Sequence, residues 1–181
     1  MNLLLKLVRC GIRSNILQWL ESFISHRACK FRYGECYSKY HILKTGLPQG
    51  TVNSCTLFNL YINDLTGELN SVPGIKCLLY ADDLVFWTEA DKRKAEEEAE
   101  QTLNKALAIL EKWCERNNMK INTSKTAFQS SLAHKTIHPR LRYKRTALSQ
   151  SNQFRYLGVT FDNELNWIKP RIKSPRDSPS A

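Results

Sequence analysis

The tetrapeptide Tyr80–Asp83 constrains the fold of this 181-residue chain more than any other feature. It lies between two apolar runs of strand length, Cys77–Leu79 and Leu84–Trp87. Two strands joined by so short a turn form a β-hairpin, and the tip of that hairpin presents two adjacent carboxylates. Little other than a cation favours two neighbouring acids in apolar surroundings. The pattern therefore indicates a metal-ion site.

A purely structural interpretation of the same hairpin is also open. Asp is a common turn residue that tolerates the backbone angles of tight turns, so a surface hairpin can carry Asp82 and Asp83 without a ligand. A short motif of this kind has little specificity by itself. The choice between a metal site and a plain turn depends on the rest of the chain.

The chain is strongly basic, with a formal net charge of +10 and a pI near 9.4. Such a charge favours a polyanionic partner, either nucleic acid or an anionic membrane surface. A membrane-surface protein is the weaker alternative, since no basic amphipathic helix stands out. No apolar run approaches the ~18 residues of a membrane span, so no membrane partner is expected. The apolar content of 42% predicts a globular domain with a sizeable core.

The six cysteines form no Cys-x-x-Cys pair and have no histidine at zinc-finger spacing. They are typical of reduced thiols in a compartment where disulfides are rare. The first apolar run does not have the pattern expected of a secretory signal, because Lys6 and Arg9 interrupt it and no small-residue cleavage site follows. We therefore expect an intracellular protein, in the nucleus, the cytoplasm or both.

The N-terminal part of the chain predicts two helices followed by a hairpin. Leu3–Cys10 has the pattern of a short helix, and Ser14 is the expected N-cap of a second one. Two extended stretches, Cys29–Tyr33 and Tyr40–Leu43, predict a hairpin that turns at Gly34-Glu35. Its exposed face is expected to be basic.

Two glycines bracket a proline in the segment Thr45–Thr51, which precedes an apolar helix through Leu57–Leu65. Glycine has no Cβ, Pro48 fixes the entry of the loop, and Gln49 offers both a donor and an acceptor. Such a loop lets a ligand backbone approach closely. An ordinary loop before a helix is the alternative, with Ser54 as a cap of that helix.

The C-terminal half predicts one long helix over Asp91–Asn117, whose acidic start suits the helix dipole. Two short strands, Met119–Asn122 and Thr126–Phe128, are expected around a turn that holds Lys125. Phe154–Phe161 predicts a further strand. Basic residues are concentrated beyond position 119, and the tail of the chain is expected to be disordered.

Four motifs in this order resemble the reverse-transcriptase domain of non-long-terminal-repeat retrotransposons. They are Gly46–Thr51 with Leu57–Leu65, Tyr80–Asp83, Asn122–Thr126 and Tyr156–Val159. Each motif is weak alone, and their order makes the set specific. The resemblance covers about Leu3 to Trp167. It implies an α+β fold, with residues 1–168 as a partial polymerase palm of antiparallel β-hairpins packed on helices and the start of a thumb. Composition separately predicts residues 169–181 as a disordered basic tail.

The resemblance also implies an activity, RNA-directed DNA polymerisation by two-metal nucleotidyl transfer onto a primer 3′-hydroxyl. The resemblance implies two Mg²⁺ ions. Carboxylates are suitable ligands for them, because Mg²⁺ is a hard cation that prefers oxygen. Asp82 is the first expected ligand. Asp83 is the second expected ligand. Neighbouring strand residues point to opposite faces, so only a tight turn lets both carboxylates approach one site. The implied partners are an RNA template, a DNA primer, dNTPs and the rest of a longer retrotransposon polyprotein.

Further site residues follow from the same resemblance. The expected nucleotide- and template-binding residues are Gly46, Pro48, Gln49, Gly50, Tyr80 and Ala81. The expected primer grip is Tyr156, Leu157 and Gly158. Lys125 is expected near the leaving phosphates as a cationic group and proton donor. The alternative for Lys125 is a solvent-exposed lysine in a turn.

The chain also departs from the family pattern. Family members carry another catalytic Asp on an upstream strand that pairs beside the Asp-Asp hairpin. We expect this first palm strand and the upstream fingers to be missing here. Asp64 does not replace it, since it lies on the helix after the glycine loop. We expect an N-terminally truncated domain with an incomplete metal site, an unpaired hairpin edge, little polymerase activity and some tendency to associate.

Two other identities stay open at this point. The competing hypothesis is a non-catalytic nucleic-acid-binding remnant of a retrotransposon polymerase, which would contact phosphates through its basic residues. The motifs also do not fully distinguish a mobile-element enzyme from a relative such as an intron-encoded maturase.

Overall fold

The computed structural model describes residues 2–89, 95–130, 139–162 and 167–168. Within these ranges, helices and short strands make a mixed α+β fold, which confirms the predicted class at that level. The helices are α1 (Asn2–Arg9), α2 (Ser14–Ile24), α3 (Val52–Asn70) and α4 (Ala95–Arg116). The strands are β1 (Arg27–Cys29), β2 (Arg32–Tyr33), β3 (Cys36–Tyr37), β4 (His41–Leu43), β5 (Ile75–Tyr80), β6 (Asp83–Thr88), β7 (Ala127–Phe128), β8 (Arg142–Tyr143), β9 (Thr146–Ala147), β10 (Ser149–Gln150), β11 (Gln153–Tyr156), β12 (Val159–Asp162) and β13 (Trp167–Ile168). None of the described helices has the length and apolar character of a membrane span.

The chain divides into two compact units. The first comprises Met1–Ser71 and Cys77–Phe86, and the second comprises Val72–Lys76 and Trp87–Ala181. The domain boundary predicted between residues 168 and 169 falls at the end of the described chain and stays a prediction. The predicted disorder of the tail lies outside the described residues.

Leucine side chains hold the three helices of the first unit together. Leu3 and Leu7 of α1, Leu20 of α2 and Leu57 of α3 form one buried cluster. Apolar residues three or four positions apart share one face of a helix, which is why the sequence periodicity predicted these helices. Each fully buried leucine contributes roughly 1.5–3 kcal/mol.

A polar contact also joins α1 to α3. The Lys6 Nζ donates a hydrogen bond to the Asp64 carboxylate at 2.8 Å and another to the Tyr61 carbonyl oxygen at 2.6 Å. The same ammonium group lies 4.5 Å from the centre of the Tyr61 ring. The Lys6 side chain is largely buried, so these partners offset the cost of its desolvation. Asp64 therefore serves helix packing within this unit.

The predicted hairpin between α2 and α3 is present, but it is split into two ladders. Strands β1 and β4 pair antiparallel from Arg27↔Leu43 to Cys29↔His41. Strands β2 and β3 pair beyond them, with Arg32 opposite Tyr37 and the turn at Gly34-Glu35. All these strands are short, and most of their side chains are exposed.

Helix α4 supplies the core of the second unit. The helix has one buried apolar stripe, in which Trp113 is only 1% exposed. The stripe consists of Ala106, Leu107, Leu110, Trp113 and Cys114. This spacing of three and four residues is the pattern that predicted the helix. The described helix covers Ala95–Arg116, and residues 91–94 of the predicted span lie outside the description.

The β8–β9 hairpin packs along α4 through matched polar contacts. The Arg140 backbone N–H donates to the Glu100 carboxylate at 2.8 Å. The Asn104 side chain accepts from the Arg142 N–H at 3.1 Å and donates to the Arg140 carbonyl at 3.0 Å. Tyr143 is buried against the same helix. Paired backbone groups allow this hairpin to be partly buried without unsatisfied donors.

Two predicted strands are wrong. Met119–Asn122 is not a strand, because the Met119 N–H bonds back to the Cys114 carbonyl at the end of α4 and Asn122 begins a turn. Phe154–Phe161 is not one continuous strand. It is the β11–β12 hairpin, which reverses at Leu157-Gly158.

The two predicted serine caps are also wrong. Arg13 precedes α2 and Thr51 precedes α3, and neither makes a side-chain capping hydrogen bond. Ser14 is already the first residue of α2. Ser54 lies inside the first turn of α3, where it is buried and its hydroxyl lies 2.6 Å from the Thr51 hydroxyl. The two hydroxyls therefore satisfy each other.

Candidate active site

The Asp-Asp hairpin has the tight turn that the sequence predicts. Strand β5 ends at Tyr80, β6 begins at Asp83, and only Ala81 and Asp82 connect them. Ala81 has a φ of +51°, which is unusual for a residue with a side chain. Such a conformation costs about 1–3 kcal/mol, and residues that hold it are common at functional sites.

Both carboxylates are exposed, so the desolvation cost inferred from the apolar neighbours is wrong. The neighbours Leu78 and Tyr80 are themselves exposed and do not enclose the acids. Among the described residues, the side-chain carboxylates of Asp82 and Asp83 make no hydrogen bond or ion pair. Their oxygens are hard ligands open to a cation, which fits the chemistry of Mg²⁺.

The described residues supply only two acidic side chains at this tip. They contain no group of three or more His, Cys, Asp or Glu residues that could hold a metal ion. A magnesium site keeps several water or substrate oxygens, so two carboxylates are compatible with binding. A tight cage built by the protein is not expected from them.

Cys77 connects the hairpin to α3 within the first unit. Its Sγ lies 3.4 Å from the Asn70 side-chain oxygen and 3.9 Å from the Thr66 carbonyl oxygen. Burial raises the pKa of the Cys77 thiol, which keeps it a neutral hydrogen-bond donor. The position of the hairpin therefore depends on the C-terminal half of α3.

The glycine-flanked loop has the geometry that its composition predicts. Gly46 has a φ of +80° and Gly50 a φ of +82°, values that L-residues rarely adopt. A Cβ built on either glycine would meet no atom within 4 Å. The glycines are thus required by backbone conformation, and the space beside them is open. Gln49 is exposed between them, and Pro48 is half-buried.

Arg27 holds this loop, although no sequence pattern singles it out. Its Nε donates to the Ile24 carbonyl at 3.0 Å, and its Nη2 donates to the Thr45 carbonyl at 3.1 Å and to the Gly46 carbonyl. One guanidinium therefore fixes the end of α2 and the start of the loop together. In the sequence it is simply an arginine two residues before the predicted extended stretch Cys29–Tyr33.

Thr51 closes the other end of the loop. Its hydroxyl donates to the Pro48 carbonyl at 3.2 Å and contacts the Ser54 hydroxyl. The loop therefore has one side-chain anchor at each end, with Gln49 exposed between them. This arrangement presents Gln49 and the two glycines on a surface of defined shape.

The remaining predicted site residues lie in the second unit. Lys125 is exposed in a turn, where its N–H bonds to the Asn122 carbonyl at 3.1 Å. Leu157 and Gly158 both have positive φ, at +49° and +86°, and form the turn of the β11–β12 hairpin after Tyr156. Whether these residues share one site with the carboxylates stays a prediction.

A family model described as reverse transcriptase (RNA-dependent DNA polymerase) matches residues 2–161 of the chain. That range contains all four motifs on which the resemblance was based. No solved structure matches the chain.

Curated proteins with similar sequences agree with this match. A probable RNA-directed DNA polymerase from transposon BS of Drosophila melanogaster is 29% identical over 162 residues, which are 86% of this chain and 17% of that protein. The RNA-directed DNA polymerase from mobile element jockey of Drosophila funebris is 27% identical over 157 residues, 84% of this chain and 17% of that protein. A retrovirus-related Pol polyprotein from type-1 retrotransposable element R1 2 of Nasonia vitripennis is 30% identical over 125 residues, 63% of this chain and 28% of that protein. The chain thus spans less than a third of the length of each.

Proposed function

The chain belongs to the reverse transcriptase family, and from this premise we propose that it forms part of the palm and the start of the thumb of an RNA-directed DNA polymerase. The reaction is nucleotidyl transfer onto a primer 3′-hydroxyl, with RNA as the template and dNTPs as substrates. The observation that supports this function best is the exposed Asp82-Asp83 pair on a tight hairpin turn within the matched range.

Asp82 and Asp83 are the proposed magnesium ligands. Both carboxylates face solvent, and among the described residues neither is neutralised by a partner. When bound, two Mg²⁺ ions acidify the attacking hydroxyl and stabilise charge on the leaving group. The side chains contribute negative charge at a fixed turn, which draws cations to the hairpin tip.

The loop around Gln49 is proposed to position the template and the incoming nucleotide. Open space beside Gly46 and Gly50 lets a nucleic-acid backbone come close, and the Gln49 amide can donate and accept hydrogen bonds there. Tyr80 and Ala81 extend the same role from the hairpin. The anchors at Arg27 and Thr51 pre-organise the loop, which lowers the entropy lost on binding.

Two elements of the second unit complete the proposal. The exposed ammonium of Lys125 is proposed to contact the leaving phosphates and to give them a proton. Tyr156, Leu157 and Gly158 are proposed to hold the primer, since a sharp hairpin tip can reach a strand without obstruction. Both roles come from the family resemblance.

The hairpin that carries the carboxylates has room for a further strand. Among the described residues β5 and β6 form a sheet of two strands only, so their outer edges are unpaired. We propose that an additional strand pairs there and brings the remaining acidic ligand of the family. The relatives are several times longer than this chain, so the rest of a polyprotein is the proposed source.

A second candidate function is nucleic-acid binding without catalysis. Two observations favour it, namely the net charge of +10 and the lack of a three-ligand acidic group among the described residues. Such a protein would bind phosphates with a steep dependence on salt concentration.

Metal binding by the purified chain separates the two candidates. Mn²⁺, a paramagnetic substitute for Mg²⁺, is expected to broaden the backbone amide NMR signals of residues 80–84 first. Asp82→Asn and Asp83→Asn should each abolish that broadening. Glu89→Gln is the matched control, because Glu89 is an exposed carboxylate of the same sheet region that pairs with Lys76 at 2.6 Å. Uniform broadening without preference for the tip would argue for the non-catalytic candidate.

Activity is tested in a longer protein. Residues 2–161 would replace the matching segment of the jockey polymerase, and incorporation of dNTPs on a primed RNA template would be measured. Asp82→Asn is expected to lower incorporation about a hundred-fold or more. Wild-type incorporation in that variant would exclude Asp82 as a catalytic ligand.

A further inference from the structure

A second surface of the first unit lies on the β2–β3 hairpin and its flanks. It consists of Lys30, Arg32, Tyr37 and Tyr40, named here the tyrosine–cation face. The Lys30 Nζ lies 4.0 Å from the centre of the Tyr37 ring and 5.4 Å from that of Tyr40. The Arg32 Cζ lies 5.7 Å from the Tyr37 ring centre, as expected for residues directly opposite in the ladder. Two cations and two rings thus share one side of the hairpin.

Both rings are accessible. Tyr37 is 53% exposed and Tyr40 is 71% exposed, so neither has a core-packing role. The stretch from residue 27 to residue 44 contains five Lys or Arg residues and a single acid, Glu35, which pairs with Arg32 at 3.2 Å. Exposed aromatic rings within a basic stretch complement a partner that has both flat apolar groups and negative charge.

We propose that the tyrosine–cation face binds single-stranded RNA. Unpaired bases would stack on Tyr37 and Tyr40, while Lys30 and Arg32 would contact the phosphates. Single strands combine exposed π-faces with a charged backbone, which is the pairing that this surface complements. The choice of RNA rests on the proposed polymerase function, because the family description names RNA as the template.

The cation contacts on the rings do not prevent stacking. A cation over an exposed ring is held weakly, whereas a base on an aromatic side chain is held more strongly. An arriving base can therefore displace Lys30 from the Tyr37 ring. The released ammonium then neutralises a neighbouring phosphate, so both groups gain a partner.

Two other occupants fit less well. A second copy of this chain would bring one basic face against another, and like charges repel. A duplex hides its π-faces within its own stack, so it can use the cations but not the rings.

The test uses the full chain and a fluorescent single-stranded oligoribonucleotide of about 12 nucleotides, with binding followed by anisotropy over a range of salt concentrations. The double variant Tyr37→Leu with Tyr40→Leu is expected to bind at least about ten-fold more weakly, with an unchanged salt slope. Lys30→Gln should flatten the slope of log K against log salt by about 0.7, the value for one phosphate contact on a single strand.

Matched controls lie outside the tyrosine–cation face. Trp19→Leu removes an aromatic side chain of α2 that is also 53% exposed, and Lys105→Gln removes an exposed charge of α4. Trp19→Leu should leave the RNA affinity close to that of wild type, and Lys105→Gln should change the salt slope less than Lys30→Gln does. Circular dichroism of each variant confirms that the fold is retained, as expected for exposed positions.

Four results would overturn the proposal. They are wild-type affinity in the tyrosine double variant, equal flattening of the slope by Lys105→Gln, equally tight binding of duplex RNA, and a preference of about ten-fold or more for single-stranded DNA of the same sequence. Binding is measured without nucleotides or Mg²⁺. A failure of polymerisation would therefore leave these outcomes unchanged.

Discussion

A single arginine shows how much of the candidate site depends on one side chain. Arg27 donates to the carbonyls of Ile24, Thr45 and Gly46, which lie on two separate segments. Its planar guanidinium has several donors in a fixed geometry, so one residue can satisfy acceptors that a point charge cannot. The glycines of the loop follow from composition. The role of Arg27 does not follow from the sequence, because no spacing rule connects it with Thr45 and Gly46, which lie 18 and 19 positions away.

Arg27→Lys is expected to loosen the loop. The ammonium cannot reach all three carbonyls, so amide hydrogen exchange in the peptide that covers Gly46–Thr51 should accelerate about ten-fold. Exchange followed by mass spectrometry measures this. Arg32→Lys is the matched control, since Arg32 pairs only with the exposed Glu35 among acidic side chains of the described residues. Equal protection in wild type and Arg27→Lys would contradict the proposed anchoring role.

A buried tyrosine makes the second unit sensitive to alkaline pH. Burial first, and then the hydrogen bond with Cys114, raise the pKa of Tyr143 well above its usual range. Burial likewise raises the pKa of the Cys114 thiol. A group whose pKa is raised on folding holds its proton longer in the native state than in the unfolded state. Its contribution to stability is therefore present below the ordinary pKa and falls as pH rises above it.

We expect the free energy of unfolding to fall above about pH 9–10, the ordinary range of these two groups. Tyr143→Phe should reduce the part of this loss that begins near pH 10, at a cost of about 0.5–1.5 kcal/mol near neutral pH for the lost hydrogen bond. Denaturant titrations from pH 7 to 11 would measure both effects. Tyr156→Phe, at a half-buried tyrosine of β11 in the same unit, is the control for removing a tyrosine hydroxyl. An identical alkaline slope in Tyr143→Phe would contradict the assignment.

At the scale of elements, helices were predictable and several strands were not. The apolar stripes of α1 and α4 are local patterns that fix both the helix and its buried face. Strand pairing depends on residues that are distant in the sequence, so it leaves a weaker local pattern from which strands could be predicted. The run Phe154–Phe161 has a strand-like composition throughout, yet it reverses at Leu157, a residue type that seldom takes positive φ. The sequence offered no turn residue before Gly158.

Leu157→Asn should stabilise the β11–β12 hairpin. Both central residues of its turn have positive φ, as in a type I′ turn, where Asn-Gly is the preferred pair. Asn tolerates this conformation at lower cost than Leu, so we expect a gain of about 0.5–1 kcal/mol. The denaturant midpoint would report it. Leu78→Asn, at a similarly exposed position within strand β5, should bring no gain.

The candidate site was predictable to a similar, partial extent. The turn at Ala81-Asp82 follows from two apolar runs separated by polar residues, and the structure has it. The exposure of the carboxylates did not follow, because apolar neighbours in sequence need not enclose a side chain at a hairpin tip. Tyr80 and Leu78 are exposed with them. Sequence predicts the element well and its surroundings poorly.

At the scale of the whole chain, small sheets with free edges dominate the described strands. Five of their six sheets have two strands, and sheets of that size are marginal in water unless another element covers them. Unpaired edges also act as templates for further strands. The expected tendency of the purified chain to associate follows from this arrangement.

A charge on the hairpin that carries the carboxylates should reduce association. Leu78→Lys places a lysine on β5, where like charges oppose edge pairing between copies. Light scattering at increasing protein concentration should show a smaller weight-average mass than for wild type. Leu5→Lys on α1 is the matched control, since Leu5 is 58% exposed and Leu78 55%. If Leu5→Lys lowers the weight-average mass as much as Leu78→Lys does, the added charge and not the strand edge accounts for the effect.

The length of helix α3 determines how far apart the glycine loop and the Asp-Asp hairpin lie within the first unit. The glycine loop leads directly into its first turn, and Cys77 fastens the Asp-Asp hairpin to Thr66 and Asn70 near its far end. Each helical residue advances about 1.5 Å and turns about 100°. Inserting or deleting one residue in the middle of α3 would therefore swing one end against the other, even though every motif residue stays intact. Length changes within this helix should be tolerated far less than substitutions on its exposed side.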